Sequence, residues 1–184
     1  MAERPEGNRM QDPDPRVLAR ARRGDLAAFE ELVRACQADV YRFALYLTRD
    51  HEVAEDVTQE TFLRAFRFIR GFRGGTKFSS WLLRIARNCS IDALNRSRTD
   101  ASLDEGPEPV ARGLSDPTTR AALDAALASV PPEQRETFLL TEVLGLSYQE
   151  AGDVLGVRVG TVKSRMFRAR RALCLALAEE EELG

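Results

Sequence analysis

The chain has 184 residues, of which 43% are hydrophobic and 30% charged, and its net charge is −2. This length allows one medium domain or two small ones, and these proportions exclude a disordered or fibrous protein. With no apolar run near the roughly 18 residues that span a bilayer, and no signal-peptide stretch, we expect a cytoplasmic protein without stable membrane insertion.

The first quarter of the chain predicts a tail and two helices. Residues 1–13 combine prolines, glycine and charges without periodicity, which indicates a disordered tail. Asp14 and Pro15 form a helix start, because a carboxylate can cap free amides and proline needs no donor at the first helical position. Gly24 ends this helix. Asp25 can cap a second helix, whose inward stripe is Leu26, Phe29, Val33, Cys36, Val40, Phe43 and Leu47.

Two further helices complete a predicted compact domain. After a turn at residues 49–51, the third helix runs to about Ile69 and carries on one side Val53, Val57, Thr61, Ala65 and Ile69. Residues 71–76 contain three glycines, so we expect a loop there. The fourth helix runs from about Ser79 to Arg96 and buries Trp81, Leu82, Ile85, Ala86 and Cys89. For Trp81 a core position is favoured over stacking on a nucleic-acid base.

A linker and two helices follow. Residues 99–115 are acidic and contain Gly106, Pro107, Pro109 and Gly113, a composition that cannot pack a core and predicts a flexible linker. Asp116 and Pro117 repeat the helix-start signature, and the inner face of this helix is Leu123, Leu127 and Val130. Pro131 and Pro132 begin another helix, which carries Phe138, Leu139 and Val143 and ends at Gly145.

Residues 147–171 carry the most specific local pattern. Ser147 and Glu150 form a Ser-x-x-Glu capping box at the start of a short helix that ends at Gly156. Gly152 allows a second helix to approach closely, and Val162 can pack beneath it. This spacing predicts a helix-turn-helix, whose second helix binds in a DNA major groove, rather than an ordinary helical hairpin. The second helix exposes residues suited to phosphates and guanine edges, namely Arg158, Lys163, Ser164, Arg165, Arg168 and Arg171.

Basic residues are concentrated in two blocks. From Thr61 to Arg98 there are nine bases against one acid, Asp92, and from Arg158 to Ala178 there are six bases and no acid. A solvated helix face normally mixes both signs, so unmixed blocks of this length indicate a polyanionic partner.

The remaining reactive side chains do not suggest catalysis. Cys36, Cys89 and Cys174 form no CxxC pair, and we interpret them as core thiols. The single histidine, His51, is interpreted as a solvated turn residue. The sequence has no Gly-rich phosphate loop, no metal-ligand spacing and no nucleophile with a histidine partner. We therefore predict no metal site, no cofactor and no enzymatic activity.

Two stretches resemble the extracytoplasmic-function (ECF) group of bacterial RNA polymerase sigma factors. The stretch that resembles region four of that family is LSYQEAGDVLGVRVGTVKSRMFRARRAL. The stretch that resembles region two is AEDVTQETFLRAFR followed by FSSWLLRIARNCSIDALNR. The resemblance extends from Asp14 to Ala178. It implies an all-α fold of two small helical domains, residues 14–98 and 116–178, joined by the flexible linker 99–115 and followed by an acidic tail at 179–184.

The resemblance also implies three sets of binding residues. Those that dock on the polymerase clamp helices are Asp56, Gln59, Glu60 and Phe62. Those that capture a flipped base of the minus-ten element and hold the nontemplate strand are Gly74, Gly75, Thr76, Lys77, Phe78, Arg84, Arg87, Asn88 and Asp92. Those that read the minus-thirty-five duplex are Arg158, Thr161, Lys163, Ser164, Arg165, Arg168 and Arg171.

The implied function is a dissociable specificity subunit that carries core RNA polymerase to promoters and helps to melt them. Members of this family are often held inactive by an anti-sigma protein that covers both domains, so the resemblance implies an anti-sigma partner. An autonomous helix-turn-helix regulator that binds a palindrome as a dimer is a second class, but it accounts for the C-terminal half only. A metal-dependent nucleic-acid hydrolase is a third class, for which the sequence has no ligand pattern.

Overall fold

The computed structural model describes residues 10–100, 126–127 and 129–183, with backbone alone for 97–100 and 177–183. Within these ranges the chain consists of helices, turns and loops, which confirms the predicted all-α class. The predicted helix start at Asp116 and the predicted linker, apart from residues 99 and 100, lie outside the described residues.

Four helices form what we call the N-terminal module, residues 10–100. They are α1 (Pro15–Arg22), α2 (Leu26–Thr48), α3 (His51–Phe68) and α4 (Phe78–Asp100), with a 3₁₀ turn at Ile69–Gly71. Asp14, Asp25 and Asp50 cap the first three by accepting the amides of Arg16, Ala28 and Val53 at 2.7, 3.0 and 2.9 Å. Asp14 and Asp25 therefore act as the sequence predicts.

Two details of this module differ from the prediction. Leu26 was expected in the buried stripe of α2 but is 63% exposed, because the first turns of α2 bury Ala28 and Leu32 instead. His51 is the first residue of α3 rather than a turn residue, because Asp50 takes the capping position. The exposed His51 ring shares a hydrogen bond with the Tyr41 hydroxyl at 2.7 Å.

The C-terminal module, residues 126–183, holds three named helices. These are α5 (Pro132–Phe138), which continues as a π-helical turn (Leu139–Val143), α6 (Tyr148–Leu155) and α7 (Val159–Leu183). Both α5 and α6 pack against α7. The backbone of α7 continues through the predicted acidic tail as far as Leu183, so the tail extends a helix.

The first described residues differ from the predicted disordered tail. Met10 is buried, and its amide donates to the Leu144 carbonyl at 3.1 Å. Asp12 accepts the Ser79 amide at 2.8 Å at the start of α4. Lone charged and proline residues carry no periodic signal, so contacts of this kind with distant segments could not be predicted from composition.

Candidate nucleic-acid interface

The loop between the 3₁₀ turn and α4 holds the predicted minus-ten pocket. Gly74 adopts a φ of 74°, in the left-handed region that glycine occupies without strain, and it lies with Gly75, Thr76 and Lys77 on the surface. Phe78 departs from the prediction. Its ring is buried and packs on Phe72 and Trp81, with ring centroids 5.9 and 5.6 Å away. The exposed part of the loop therefore consists of Arg73, the two glycines, Thr76 and Lys77.

The exposed side of α4 carries Arg84 and Asn88, one turn apart on the same face. Asp92 continues this face but is 3.1 Å from Arg64 of α3, which also pairs with Glu60 at 2.6 Å. The hydrogen bonds from Glu60 and then Asp92 raise the pKa of Arg64. Asp92 thus links α4 to α3 through an exposed ion pair.

Helix α3 presents the predicted polymerase-binding residues together with an apolar surface. Asp56 and Gln59 are exposed, whereas Glu60 and Phe62 are half-buried. The predicted set leaves out the large apolar side chains that are most exposed on α3, which are Leu63, Phe66 and Phe68 at 53%, 46% and 62%. Their spacing could have indicated a second apolar face, since Leu63 and Phe66 lie beside the buried Ala65 rather than in line with it.

The helix-turn-helix forms as predicted. The Ser147 hydroxyl accepts the Glu150 amide, and the Glu150 carboxylate accepts the Ser147 amide at 2.6 Å, which completes the capping box. Gly156 ends α6 with a φ of 69°. A Cβ at Gly152 would lie 2.8 Å from the Val157 carbonyl oxygen and 3.7 Å from Val162, so this glycine permits the tight turn and the packing of α7 beneath it.

Most of the predicted minus-thirty-five residues lie on the outside of the turn and of α7. Exposed members of the set are Arg158, Thr161, Lys163, Ser164, Arg168 and Arg171. Arg165 was expected to be exposed as well, but only 16% of its side chain is accessible, and its Nη2 is 2.5 Å from Glu133 of α5. The buried side of α7 explains this difference, since Val162, Met166 and Ala169 pack inward and Arg165 lies at the edge of that face.

Two carboxylates of the C-terminal module reach predicted minus-ten residues. Glu136 of α5 pairs with Arg87 at 2.5 Å, and Glu150 of α6 pairs with Lys77 at 2.6 Å. Burial acts to raise the pKa of Glu150, but hydrogen bonds from Lys77 and Ser147 outweigh it and hold the pKa at about 2. Neither glutamate was predicted as a partner of these residues, because nothing in the local sequence marks a partner so far along the chain.

Two absences hold for the part of the chain that the structure describes. No three His, Cys, Asp or Glu side chains there come together in a group that could bind a metal ion. None of the described helices has the length and the apolar composition needed to cross a membrane.

A helix-turn-helix with a basic second helix, attached to a helical module with a basic helix of its own, defines a two-part DNA-binding protein. Comparison with known families identifies both parts. The model of Sigma-70 region 2 matches residues 32–99, and the model of Sigma-70, region 4 matches residues 120–173.

Relatives match over nearly the whole chain. The ECF RNA polymerase sigma factor SigC of Mycobacterium tuberculosis is 40% identical over 171 residues, which cover 89% of this chain and 90% of the relative. The ECF RNA polymerase sigma factor SigW of Bacillus subtilis is 31% identical and covers 85% of this chain and 92% of its own length. The chain therefore belongs to the ECF group of the sigma-70 family, and it is an RNA polymerase sigma factor that directs promoter recognition and transcription initiation.

Two solved structures share the fold and come from complexes. One is CnrH in complex with the cytosolic domain of CnrY, with a TM-score of 0.71 and 27% identity over 89% of this chain and 96% of that one. The other is the sigma factor RpoE in complex with the anti-sigma factor NepR from Bartonella quintana, with a TM-score of 0.68 and 29% identity over 82% and 96%. Similarity over both modules disfavours an autonomous helix-turn-helix regulator.

Proposed function

We propose that the three surfaces described above divide the work of promoter recognition. Helix α3 binds core RNA polymerase, the loop before α4 and the exposed side of α4 hold the nontemplate strand of the minus-ten element, and the start of α7 reads the minus-thirty-five duplex. The observation that carries this proposal is the position of exposed basic residues on the outside of α7 and on α4, whereas the exposed Leu63 and Phe66 lie on α3 beside Asp56 and Gln59. The two domains are residues 14–98 and 116–178, as the sequence predicts.

The polymerase surface combines a polar edge with an apolar centre. Asp56 and Gln59 supply the edge, and the exposed side chains of Leu63 and Phe66, three positions apart on the same face of α3, supply the centre. Protein interfaces are enriched in aromatic residues at their core and polar at their rim, and this arrangement fits a protein partner better than DNA.

The minus-ten surface suits an unpaired strand. Lys77, Arg84 and Arg87 can follow the phosphates, while Thr76 and Asn88 can hydrogen-bond the edges of bases that are no longer paired. Base-edge contacts of this kind require a melted strand, so these residues act after the polymerase has been delivered.

The minus-thirty-five surface suits a duplex. At the start of α7, exposed basic side chains such as Arg168 can bind phosphates or the edge of a guanine. Exposed hydroxyl groups such as that of Thr161 can hydrogen-bond the edges of several nucleobases. The half-buried Arg165 lies beside them and reaches DNA only after its pair with Glu133 opens.

Catalysis of RNA synthesis then belongs to the polymerase, and this chain acts in the cytoplasm as a binding subunit rather than as an enzyme. An anti-sigma factor is a further partner. Support comes from the complexes of CnrH with CnrY and of RpoE with NepR, because both share the fold of this chain.

The test is reconstituted transcription. Purified chain added to core polymerase should start RNA synthesis from a promoter of its own regulon, and an Asn88→Ala variant should reduce open-complex formation while polymerase binding stays unchanged. Failure at every promoter of that regulon would refute the proposal. Loss of polymerase binding in N88A would contradict the division between α3 and α4.

A further inference from the structure

Helix α4 begins at a residue that cannot cap it. The Lys77 carbonyl accepts the Trp81 amide at 3.1 Å, which makes Lys77 the N-cap residue of the helix. Serine, threonine, asparagine and aspartate are preferred at this position, because their side-chain oxygen accepts an amide of the first turn. A lysine side chain has donors alone. The side chain at the N-cap position of α4 therefore leaves the first amides of the helix to another acceptor.

A carboxylate from the beginning of the chain supplies that acceptor. Asp12 Oδ1 accepts the Ser79 amide at 2.8 Å, although the two residues are 67 positions apart. Ser79 is the second residue of α4, and its amide is one of the two that an N-cap side chain normally accepts. Asp12 thus does for α4 what Asp14, two residues later, does for α1.

Burial makes this hydrogen bond hard to replace. Ser79 is only 4% exposed, and its neighbours Phe78 and Ser80 are buried as well. Water therefore has little access to the first turn of α4. Because a buried amide without an acceptor costs free energy comparable to a lost hydrogen bond, removal of the Asp12 carboxylate favours fraying of that turn.

Two prolines restrict the capping segment. Residues 12–15 read Asp-Pro-Asp-Pro, and a proline disfavours helical backbone in the residue before it. Asp14 has a ψ of 127°, which is non-helical, and its own cap fixes it to the start of α1. The bonds of Asp12 and Asp14 both lie within the N-terminal module. The segment can therefore cap α4 whatever the position of the C-terminal module.

The capped turn forms one end of the glycine loop. Phe72 precedes the loop and Phe78 follows it, and their rings meet edge to face with centroids 5.9 Å apart, which closes the base of the loop. Trp81 packs on both rings, with centroids 5.3 and 5.6 Å away. The placement of the exposed residues 73–77 therefore depends on the first turn of α4.

We propose that Asp12 is a positioning residue for the minus-ten strand: by capping α4 it holds the glycine loop in the shape that receives unpaired bases. This inference rests on the proposed assignment of the loop and the exposed side of α4 to that strand. A preformed loop binds without a cost of ordering, whereas a loop that is ordered in only a fraction of molecules binds with its affinity reduced by that fraction. Asp12 need not touch DNA to have this effect.

Two substitutions of Asp12 separate capping from charge. Asp12→Ala removes the acceptor and the negative charge together, whereas Asp12→Asn removes only the charge, because the asparagine oxygen can accept the Ser79 amide. A charge effect would make both variants bind DNA more tightly, since each lacks a carboxylate that repels phosphates. A capping effect makes D12A weaker and lets D12N rescue it. Asp14→Ala is the control for the loss of a cap elsewhere in the module.

The measurement is open-complex formation by the holoenzyme, which is the full-length chain with core polymerase, on a promoter of its own regulon. Permanganate reactivity of unpaired thymines reports the yield. D12A should reduce this yield roughly fivefold, the factor to which the typical cost of a lost N-cap converts at 25 °C. D12N and D14A should retain most of it. Affinity for core polymerase should be equal in all three variants, because none of them changes α3, and this equality shows that the module remains folded.

The remaining outcomes separate this inference from the proposed function, with Asn88→Ala measured alongside. If D12A forms open complexes as well as the natural chain while N88A does not, the inference is wrong and the assignment of α4 stands. If neither variant has an effect, the proposed minus-ten surface fails and the inference fails with it. An equal loss in D12N or in D14A would also overturn the inference, because the effect would then come from charge or from any lost cap.

Discussion

Acidification should weaken the fold through one carboxylate, Glu150. Its Oε2 accepts the Ser147 amide at 2.6 Å and its Oε1 lies 2.6 Å from Lys77 Nζ. Although burial acts to raise its pKa, these partners hold the pKa at about 2, against an ordinary value of 4.5. The ionised form is therefore bound more strongly in the folded chain than in the unfolded chain.

The direction of the effect follows from this difference. A carboxyl group whose pKa is lower in the folded state stabilises the fold fully above its unfolded pKa, and the contribution is lost as the pH falls through the folded pKa. For Glu150 that window runs from about 4.5 down to about 2. The whole difference corresponds to roughly 3 kcal/mol at 1.36 kcal/mol per pKa unit. Because half of the Lys77 side chain is exposed, screening reduces the expected contribution to about 1–2 kcal/mol.

The measurement is the free energy of unfolding in urea, at pH 7 and at pH 3, for the natural chain and for Glu150→Gln. At pH 7 the variant should be less stable by about 1–2 kcal/mol, and at pH 3 the difference should fall to less than half of that value. Glu133→Gln serves as the control, since it removes an exposed carboxylate of the same module. If the natural chain and E150Q lost stability in parallel between the two pH values, the assignment of the effect to Glu150 would be wrong.

Three further predictions test the surfaces and the core. Arg168→Ala should weaken binding to a minus-thirty-five duplex by roughly 1–3 kcal/mol if the contact is bidentate. Arg165→Ala should weaken the same binding by less, because that side chain is mostly covered, and equal losses in an anisotropy titration would contradict this ranking. Leu63→Ala, at a side chain that is 53% exposed, should reduce affinity for core polymerase at least severalfold without lowering the free energy of unfolding, and unchanged affinity in a competition assay would exclude that apolar face from the interface. Leu82→Ala, at a fully buried position, should lower the free energy of unfolding by about 2–5 kcal/mol in urea, and a loss below about 1 kcal/mol would contradict the packing around α4.

Features that depend on neighbouring residues were predictable from the sequence. The caps at Asp14 and Asp25 and the capping box of Ser147 with Glu150 each join groups within three positions of one another. The geometry of such a cap is set by the helix itself, so the residue types alone indicate it.

Features that depend on what packs against an element were not predictable. Phe78 follows a glycine loop and looked accessible, yet Phe72 and Trp81 enclose its ring. Leu26 has the spacing of a core residue, yet no element covers the first turn of α2 on that side. Periodicity identifies a face, but only tertiary structure decides where along the helix that face is covered.

The same limit applies to charge, as the ion pairs of Arg87 with Glu136 and of Lys77 with Glu150 show. A count of the basic residues between Thr61 and Arg98 assumes that each side chain is available to a polyanion. Arg87, however, donates a hydrogen bond to a glutamate 49 residues further along the chain. A cation that already has a carboxylate partner binds phosphate only in the fraction of molecules in which the pair is open.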